Sequence, residues 1–327
     1  MKAWMIETLA GAKSRLRMAD LPDLVPGRHD LLLRTRAAGL NRADLGRNAR
    51  HYERVPTRPP YPIAGLEAAG EVIGIGSEVM GWSIGERVLG MLSGGHAEQV
   101  LIDHRLAVRV PPGLSWCQAA ALPVALFTAH DALVTNARLA AGEAVFIQAA
   151  ASGVGIAATQ IARAMGAGLI AGTASGAKLA RLAGLGLTHG IDYAQGGVVE
   201  AVMRATAGRG ADVIVDMVGA KAIADHLALA AHGARWVQIG RMGGVSGPVD
   251  FDVLAKKRIS LIGVTFRTRD VAQFAAVVQA AWRDFGAAVA DGSFSMPVEK
   301  VYPLTEADQA LSAMRENRHF GKFVLEV

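Results

Sequence analysis

Short hydrophobic segments separated by Pro and Gly dominate the first 120 residues of the chain. Runs of this length, bounded by turn residues, are typical of β-strands. They predict strands at residues 3–6, 30–38, 71–75, 87–90 and 98–102. From about residue 118 the pattern changes to hydrophobic strands that alternate with Ala-rich helical segments. That alternation predicts a parallel sheet with helices on both of its faces.

The alternating region can be divided into individual elements. Its predicted strands lie at residues 144–148, 168–173, 212–216, 234–239 and 259–264. Its clearest helices are predicted at residues 179–187 and 220–231.

After residue 297 the first pattern returns. It predicts a strand at 298–302, a helix at 305–316 and a last strand at 322–327. We therefore expect the α/β domain to be inserted into the β-rich one. The expected segments are a β-rich domain at 1–120, an α/β domain at 121–265 and a return segment at 266–327.

The segment 144–163 carries the most informative local pattern. Hydrophobic residues at 145–147 predict a buried strand, small residues crowd the turn at 149–155, and helical spacing follows. Such a turn suits a dinucleotide pyrophosphate, because the backbone can approach the phosphates and the helix N-terminus offers unpaired N–H groups. Ala149 and Ser152 stand where the pattern G-x-G-x-x-G has glycines, so a small-residue packing turn is the alternative.

The residues after the second strand indicate which dinucleotide binds. In NAD-binding folds of this kind an Asp or Glu about 20 residues past the glycines holds the ribose 2′-hydroxyl. No acidic residue stands between positions 143 and 192, and polar or cationic residues follow the strand instead: Thr173, Ser175, Lys178 and Arg181. Hydroxyls and a cation suit a 2′-phosphate, so the pattern predicts NADPH. For Lys178 alone, a solvated helix residue is the alternative.

Composition narrows the class of protein. The 327 residues are 51% hydrophobic and 19% charged, which is typical of globular domains with large cores. The net charge of +5 is spread without a basic block and is too diffuse for nucleic-acid binding. The single cysteine, Cys117, excludes a disulfide framework within the chain. No signal peptide is recognisable, and the apolar stretch at 119–134 predicts a core helix, so we expect a cytoplasmic protein without a membrane segment.

Seven short motifs, in order along the chain, carry a resemblance to a known family. They read AAGLNRAD at 37–44, GLEAAG at 65–70, GERV at 85–88, AAALP at 119–123, SGVG at 152–155, RWVQIG at 235–240 and GKFVLE at 321–326. The chain resembles the zinc-free quinone oxidoreductase (zeta-crystallin-like) family of the medium-chain dehydrogenase/reductase superfamily. Details at 41–44, 65–67, 242–244 and 267–270 are similar to its stress-inducible NADPH:quinone oxidoreductase branch.

The resemblance implies a fold and an activity. The fold is α/β, with a GroES-like, β-rich catalytic domain and a Rossmann dinucleotide-binding domain built on a parallel sheet. The activity is NADPH-dependent hydride transfer to a small-molecule acceptor such as a quinone or an enone. Family members also dimerise by joining sheet edges. Trp236 and residues 259–264 are expected at that edge, and they predict a homodimer.

The resemblance also implies that metal ligands are missing. Zinc-dependent relatives have a Cys at the position of Asn41 and a His at the position of Leu66, and neither Asn nor Leu replaces these ligands. His96 and His104 are the most closely placed alternatives. We expect no metal site. Without a Lewis acid, alcohol oxidation is disfavoured and electron-poor acceptors remain.

By the same resemblance, several segments hold the cofactor. The pyrophosphate is expected at Ser152, Gly153, Val154 and Gly155, and the 2′-phosphate at Gly172, Ser175, Lys178 and Tyr193. The nicotinamide end is expected at Val218, Gly219, Ile239, Gly240, Arg241, Met242, Val264, Thr265 and Phe266. The C-terminal segment is expected to contribute Asn317, Gly321 and Lys322. For Tyr193 a packing role is the alternative, and for Lys322 a solvated charge.

Asn41, Asp44 and Tyr52 are the candidate catalytic residues. The amide of Asn41 can hold the nicotinamide ribose or a substrate carbonyl, and Asp44 either takes part or braces its loop. Tyr52 can donate a hydrogen bond to a developing oxyanion. Many family members have a further Tyr where this chain has Gly46, so solvent is an alternative source of the proton.

Two other functions remain open from the sequence. The first is a reductase of enoyl thioesters or small enones, since one loop contains four cations that suit acyl-CoA phosphates: Arg47, Arg50, Arg54 and Arg58. A solvated face explains the same arginines. The second is an NADPH-binding protein without turnover, since a fold and a cofactor site do not prove catalysis.

Overall fold

The computed structural model describes residues 1–8, 14–46 and 60–327. The chain forms two compact units. The first unit comprises Met1–Val124 and Phe266–Val327, and the second comprises Ala125–Thr265. The domain boundaries predicted from the sequence lie at 120/121 and 265/266, and those of the two units lie at 124/125 and 265/266. A β-rich unit and a parallel α/β unit confirm the predicted fold class.

The strands are numbered in chain order. The early ones are β1 Lys2–Thr8, β2 Ser14–Asp20, β3 Asp30–Gly39, β4 Glu67–Ile75, β5 Arg87–Met91, β6 Gln99–Asp103 and β7 Val108–Arg109. The later ones are β8 Ala144–Ile147, β9 Leu169–Ala174, β10 His189–Asp192, β11 Ala211–Asp216, β12 Ala230–Gln238, β13 Ser260–Gly263, β14 Val298–Pro303 and β15 Lys322–Glu326.

The α-helices are numbered in the same way. They are α1 Trp116–Ala120, α2 Pro123–His130, α3 Gly153–Ala164, α4 Gly176–Gly184, α5 Val198–Ala205, α6 Ile223–Leu229, α7 Phe251–Lys256, α8 Val271–Ala290 and α9 Ala307–Arg315. A π-helical turn, Asp131–Asn136, continues α2. Short 3-10 turns lie at Arg42–Gly46, Tyr193–Gln195, Ala220–Ala222 and Leu304–Glu306.

The sheet of the first unit brings distant parts of the chain together. Its strand order is β14-β15-β3-β4-β5-β7, and β6 also pairs with β3. β3 is antiparallel to both β4 and β15, with Ala37 opposite Ala69 and Gly39 opposite Val324. The end of β3 therefore lies beside the first residues of β4 and β15. This topology positions the polar cluster described below.

The sheet of the second unit is parallel throughout. Its strand order is β10-β9-β8-β11-β12-β13. Phe146, Ile214 and Trp236 pack in its core at 2% exposure or less. Parallel strands end at one edge, and in such sheets ligands bind outside the carboxyl ends. The loops after β8, β9, β10, β11 and β12 therefore share the edge where a dinucleotide is expected.

Several elements differ from the sequence-based predictions. The strand at His189–Asp192 was not predicted, because only Ile191 in it is buried. The helix at Val271–Ala290 was not predicted either, although Asp270 and Gln273 form a capping box at its start. The helix predicted at 220–231 ends at Leu229, because Ala230 already begins β12.

The placement of Trp236 at a sheet edge is wrong. Trp236 belongs to β12, which pairs with β11 on one side and with β13 on the other. Its side chain is 2% exposed. In the part of the chain that the structure describes, β13 is the outer strand on that side of the sheet.

The apolar stretch predicted as a core segment runs through α1, α2 and the π-helical turn. Residues Trp116–Asn136 have the length and hydropathy that could cross a membrane. However, 83% of the tested window is buried inside the protein. This burial agrees with a core segment.

Candidate functional site

The predicted pyrophosphate turn lies between β8 and α3. Ser152 is the N-cap residue of α3, and its hydroxyl accepts a hydrogen bond from Gly155 N at 3.1 Å. A Cβ on Gly155 would lie 2.6 Å from the carbonyl oxygens of Ala149 and Ala150, so this position requires Gly. Ala149 takes a left-handed φ of 57°. The backbone thus forms a compact cradle at a helix N-terminus, and this geometry fits a pyrophosphate.

The end of β9 braces this turn. Thr173 is 1% exposed, its Oγ1 accepts a hydrogen bond from Ala149 N at 3.0 Å, and its carbonyl accepts one from Ala150 N at 2.8 Å. The interpretation of the Thr173 hydroxyl as a 2′-phosphate ligand is therefore wrong. A Cβ on Gly172 would lie 2.8 Å from Ala150 Cβ, so Gly172 lets the turn pack closely on β9.

The other residues predicted around a 2′-phosphate follow β9 and β10. Ser175 is the N-cap residue of α4, and its side chain makes no capping hydrogen bond. Lys178 is the third residue of α4. Tyr193 follows β10 and is 51% exposed, whereas a packing role would bury its ring. Contacts of these three residues with a cofactor remain a prediction.

Asp216, at the end of β11, organises the loops predicted at the nicotinamide end. Its Oδ1 accepts hydrogen bonds from Val218 N at 2.7 Å and Gly219 N at 2.9 Å. Its Oδ2 accepts one from Trp236 Nε1 at 3.1 Å, and its carbonyl accepts one from Ile239 N at 2.8 Å. Asp216 is fully buried, so this one residue fixes the loops after both β11 and β12.

The charge on Asp216 is stabilised despite its burial. Burial acts to raise the pKa of this carboxyl, but His226, Gly219 N and Val218 N together hold the pKa below its usual range. His226 is fully buried, with its Nδ1 3.5 Å from Asp216 Oδ2. Sequence reasoning missed Asp216. The sequence feature that could have identified it is a carboxylate at the end of an apolar predicted strand.

The two loops held by Asp216 pack backbone against backbone. A Cβ on Gly240 would lie 2.5 Å from Met217 O, and one on Gly219, which has a φ of 80°, would lie 2.8 Å from Gly244 O. Close approach therefore requires Gly at both positions.

The remaining residues predicted at the nicotinamide end differ in their surroundings. Met242 is 58% exposed and Arg241 is also exposed, whereas Val264 is buried and its N donates to Gln238 O. Thr265 ends the second unit. Phe266 belongs to the first unit and packs on Phe274.

A buried polar cluster occupies the first unit where β3, β4 and β15 meet. Asn41 Nδ2 donates to Glu67 Oε1 at 2.8 Å, and Lys322 Nζ donates to Asn41 Oδ1 at 2.7 Å. Lys322 Nζ also forms an ion pair with Glu67 Oε1. Val124 N donates to Glu67 Oε2 at 2.8 Å. Glu67 is fully buried and Lys322 is 3% exposed, so the alternative of a solvated Lys322 is wrong.

Asp44 lies beside this cluster. It is 2% exposed, its Oδ2 accepts a hydrogen bond from Asn41 N at 2.7 Å, and its own N donates to Asn41 O. These bonds hold the backbone of Asn41, which agrees with the bracing alternative. A catalytic role for Asp44 remains a prediction.

His96, which the sequence offered only as an alternative metal ligand, is a second fully buried group. Burial lowers its pKa, whereas Asp44, the Gly39 backbone and Glu67 act to raise it. A Cβ on Gly65, which has a φ of 102°, would lie 2.6 Å from His96 Cδ2. On balance the pKa of His96 lies below its usual value, because burial is the largest of these influences.

The other predicted residues of the C-terminal segment take left-handed backbone conformations. Asn317 has a φ of 58° and its side chain accepts a hydrogen bond from Arg42. Gly321 has a φ of 84°, and a Cβ there would lie 2.3 Å from Pro297 O. Their contact with a cofactor remains a prediction.

Five candidate residues cannot be placed in the site, and the described residues form no metal-binding group. Tyr52, Arg47, Arg50, Arg54 and Arg58 lie outside the described residues. Within residues 1–8, 14–46 and 60–327, no group of three His, Cys, Asp or Glu side chains could hold a metal ion. The resemblance places Asn41 at the position of a zinc-binding Cys in zinc-dependent relatives. In this structure the amide of Asn41 is hydrogen-bonded to the carboxylate of Glu67 and to the ammonium group of Lys322.

Two known families match the chain. Residues 27–112 match the family described as alcohol dehydrogenase GroES-like domain. Residues 153–283 match the family described as zinc-binding dehydrogenase. The first range lies within the first unit, and most of the second range lies within the second unit.

Individual proteins are similar over most of the chain. It is 30% identical to Homo sapiens quinone oxidoreductase over 289 residues, which cover 86% of this chain and 85% of that protein. It is 32% identical over 326 residues to the mycocerosic acid synthase-like polyketide synthase of Mycobacterium tuberculosis. These residues are 97% of this chain but span only 15% of that relative. The solved structure of CurK enoyl reductase has 27% identity and a TM-score of 0.84, covering 99% of this chain and 98% of its own.

Proposed function

Because this chain belongs to the zinc-free quinone oxidoreductase-like family of medium-chain dehydrogenases/reductases, we propose that it reduces quinones with NADPH by hydride transfer. The protein is an oxidoreductase of this superfamily and has its nicotinamide dinucleotide-binding fold. The quinone acceptor, the preference for NADPH and independence from metal are the parts that we propose.

The polar cluster of Asn41, Glu67 and Lys322 carries the proposal. The Lys322 ammonium group is hydrogen-bonded to Asn41 Oδ1, at the position where zinc-dependent relatives bind the metal through Cys. A zinc ion beside Asn41 would face a like charge at short range, and an amide is a poor zinc ligand. Activation of an alcohol by a Lewis acid is therefore disfavoured. A quinone accepts a hydride without such activation.

The residues of the second unit fit the cofactor. The Ser152–Gly155 turn would hold the pyrophosphate on backbone N–H groups, and Ser175 and Lys178 would bind the 2′-phosphate. Asp216 would keep the loops at the nicotinamide end in place. Bound NADPH supplies the hydride.

Reduction of a quinone to a hydroquinone also consumes one proton. Asn41 uses one amide N–H for Glu67, and we assign the other to the acceptor carbonyl or the nicotinamide ribose. Tyr52 or solvent delivers the proton to the reduced oxygen. Catalysis then depends mainly on holding the hydride donor and the acceptor in a reactive geometry. Such positioning lowers the activation barrier, because the entropy of bringing the reactants together is lost on binding.

Reduction of an enoyl thioester or a small enone is the second candidate. CurK is an enoyl reductase with 27% identity to this chain, and the relatives include polyketide synthases. The same hydride chemistry reduces an activated carbon–carbon double bond. Arg47, Arg50, Arg54 and Arg58 would bind the phosphates of an acyl-CoA. A non-catalytic NADPH-binding protein is the third candidate.

NADPH oxidation against a panel of acceptors tests the proposal. The panel contains an ortho-quinone, a para-quinone, a small enone and crotonyl-CoA, with NADH in parallel. We expect the highest kcat/KM for a quinone with NADPH. Higher kcat/KM for crotonyl-CoA would assign enoyl reduction instead. NADPH binding without turnover of any acceptor would favour the non-catalytic candidate.

We also propose a homodimer formed through β13. The strand lies at the outer edge of the described parallel sheet, and Leu261 on it is 48% exposed. An unpaired apolar edge favours pairing with another strand. Light scattering should give twice the chain mass of 34.2 kDa, and Leu261→Lys should shift the protein towards the monomer. A monomeric wild-type protein would contradict the proposal.

A further inference from the structure

A carboxylate lies beside the predicted 2′-phosphate site, although the sequence between positions 143 and 192 has no acidic residue. β10 pairs in parallel with β9, and Asp192 at the end of β10 lies opposite Ala174 at the end of β9. The next residue, Ser175, is the N-cap of α4. The pairing of β10 with β9 therefore brings Asp192 close to Ser175, from which it is 17 residues away in the sequence.

The side chain of Asp192 is directed at the first residue of α4. Its Oδ2 lies 2.8 Å from the position that a Cβ on Gly176 would occupy. Its Oδ1 accepts a hydrogen bond from Ala194 N at 3.0 Å, which fixes the carboxylate in this direction. The absence of a side chain at Gly176 lets the carboxylate approach the start of the helix.

This position is where a dinucleotide fold recognises the adenosine ribose. NAD-binding members of such folds place an acidic side chain near the end of the second strand, where it accepts hydrogen bonds from the ribose hydroxyls. In this chain the end of β9 has no acid, and the neighbouring strand supplies one. A phosphate monoester at the same place carries a charge of about −1.5 to −2 and would be repelled by a carboxylate.

We propose that Asp192 is a specificity-determining residue of the cofactor site. Its carboxylate accepts hydrogen bonds from the adenosine ribose of NADH and repels the 2′-phosphate of NADPH. It thereby opposes Lys178 and Arg181, the cations of α4, and keeps the preference for NADPH moderate. This inference rests on the proposed function, because it assumes that the second unit binds a nicotinamide dinucleotide at this edge.

Asp192→Asn tests the inference with little change of shape. Asn still accepts a hydrogen bond from Ala194 N but carries no charge, and Asp192→Ser is a second variant that preserves a capping oxygen. The control is Asp252→Asn on α7. Asp252 is exposed, is paired with Lys256 and follows β12, which lies four strands from β10 in the sheet.

The readout is calorimetric binding of adenosine fragments, which requires no turnover. The probes are 2′,5′-ADP for the NADPH end and 5′-AMP for the NADH end. Both Asp192 variants should raise the ratio of 2′,5′-ADP affinity to 5′-AMP affinity roughly tenfold, because one nearby charge is removed. Asp252→Asn should leave the ratio unchanged.

The outcomes separate the inference from the proposed function. If the fragments bind the wild-type protein and neither Asp192 variant changes the ratio, the role of Asp192 is wrong and the proposed function stands. If neither the fragments nor the two dinucleotides bind the wild-type protein, the proposed function fails and the inference fails with it.

Discussion

Replacement of Lys178 by Glu is expected to lower kcat/KM for NADPH at least about a hundredfold, because a nearby attraction for the 2′-phosphate becomes a repulsion. Lys178 lies in the first turn of α4, three positions after the Ser175 N-cap. NADH lacks the 2′-phosphate, so its kcat/KM should change much less. The preference for NADPH should therefore be lost or reversed.

Steady-state kinetics with both dinucleotides and one quinone provide the measurement. Lys256→Glu is the matched control, because it reverses the charge of an exposed side chain on α7. This helix follows β12, which lies four strands from β10 in the sheet. It should leave both kcat/KM values within a factor of two. Unchanged NADPH kinetics in Lys178→Glu would contradict the assignment of the 2′-phosphate site.

Lys322→Met is expected to lower the free energy of unfolding by about 3–5 kcal/mol. The variant removes the ammonium group that pairs with Glu67 and leaves this carboxylate buried without its cation. The double variant with Glu67→Gln removes the charge as well, so it should recover part of the loss. Glu67→Gln alone should also destabilise the protein, because it leaves the Lys322 ammonium group buried.

Urea unfolding of the four proteins measures these differences. Lys256→Met is the control, because it breaks an exposed ion pair with Asp252, and such pairs contribute about 0–1 kcal/mol. If Lys322→Met lowers the free energy of unfolding by less than about 1 kcal/mol, the result would contradict a buried ion pair between Lys322 and Glu67. A double variant less stable than both single variants would contradict the coupling between the two charges.

The sequence was most informative where the pattern is local. The run at 145–147, the small residues of 149–155 and the helical spacing after them correspond to β8, the turn and α3. The Ser152 cap and the requirement for Gly155 explain why this segment could be recognised. The alternation of strands and helices predicted a parallel sheet, and the structure confirms that all of its strand pairs are parallel.

Prediction failed where the relevant partners are distant in sequence. Glu67 and Lys322 are 255 residues apart and meet only because β4 and β15 both flank β3. A pattern of hydrophobic positions carries no information about such a pairing. The same limit explains Asp192, which strand pairing brings to the loop after β9.

Other errors concern side chains that pack inside the core instead of contacting a ligand or lying at a sheet edge. The Thr173 hydroxyl is buried and braces Ala149, although its place at the end of the second predicted strand suggested a phosphate contact. Trp236 was expected at an edge but donates a hydrogen bond to Asp216 inside the core. Each side chain meets a backbone or carboxylate partner that only the folded structure reveals.

Quinone reduction by protein freed of metal tests the central claim most directly. The protein is dialysed against a chelator, its zinc content is measured, and NADPH oxidation is followed with a quinone and with crotonyl-CoA. We predict full quinone activity at far less than one zinc per chain, with a higher kcat/KM for the quinone than for crotonyl-CoA. Activity that disappears with the chelator and returns with zinc, or a clear preference for crotonyl-CoA, would contradict the account.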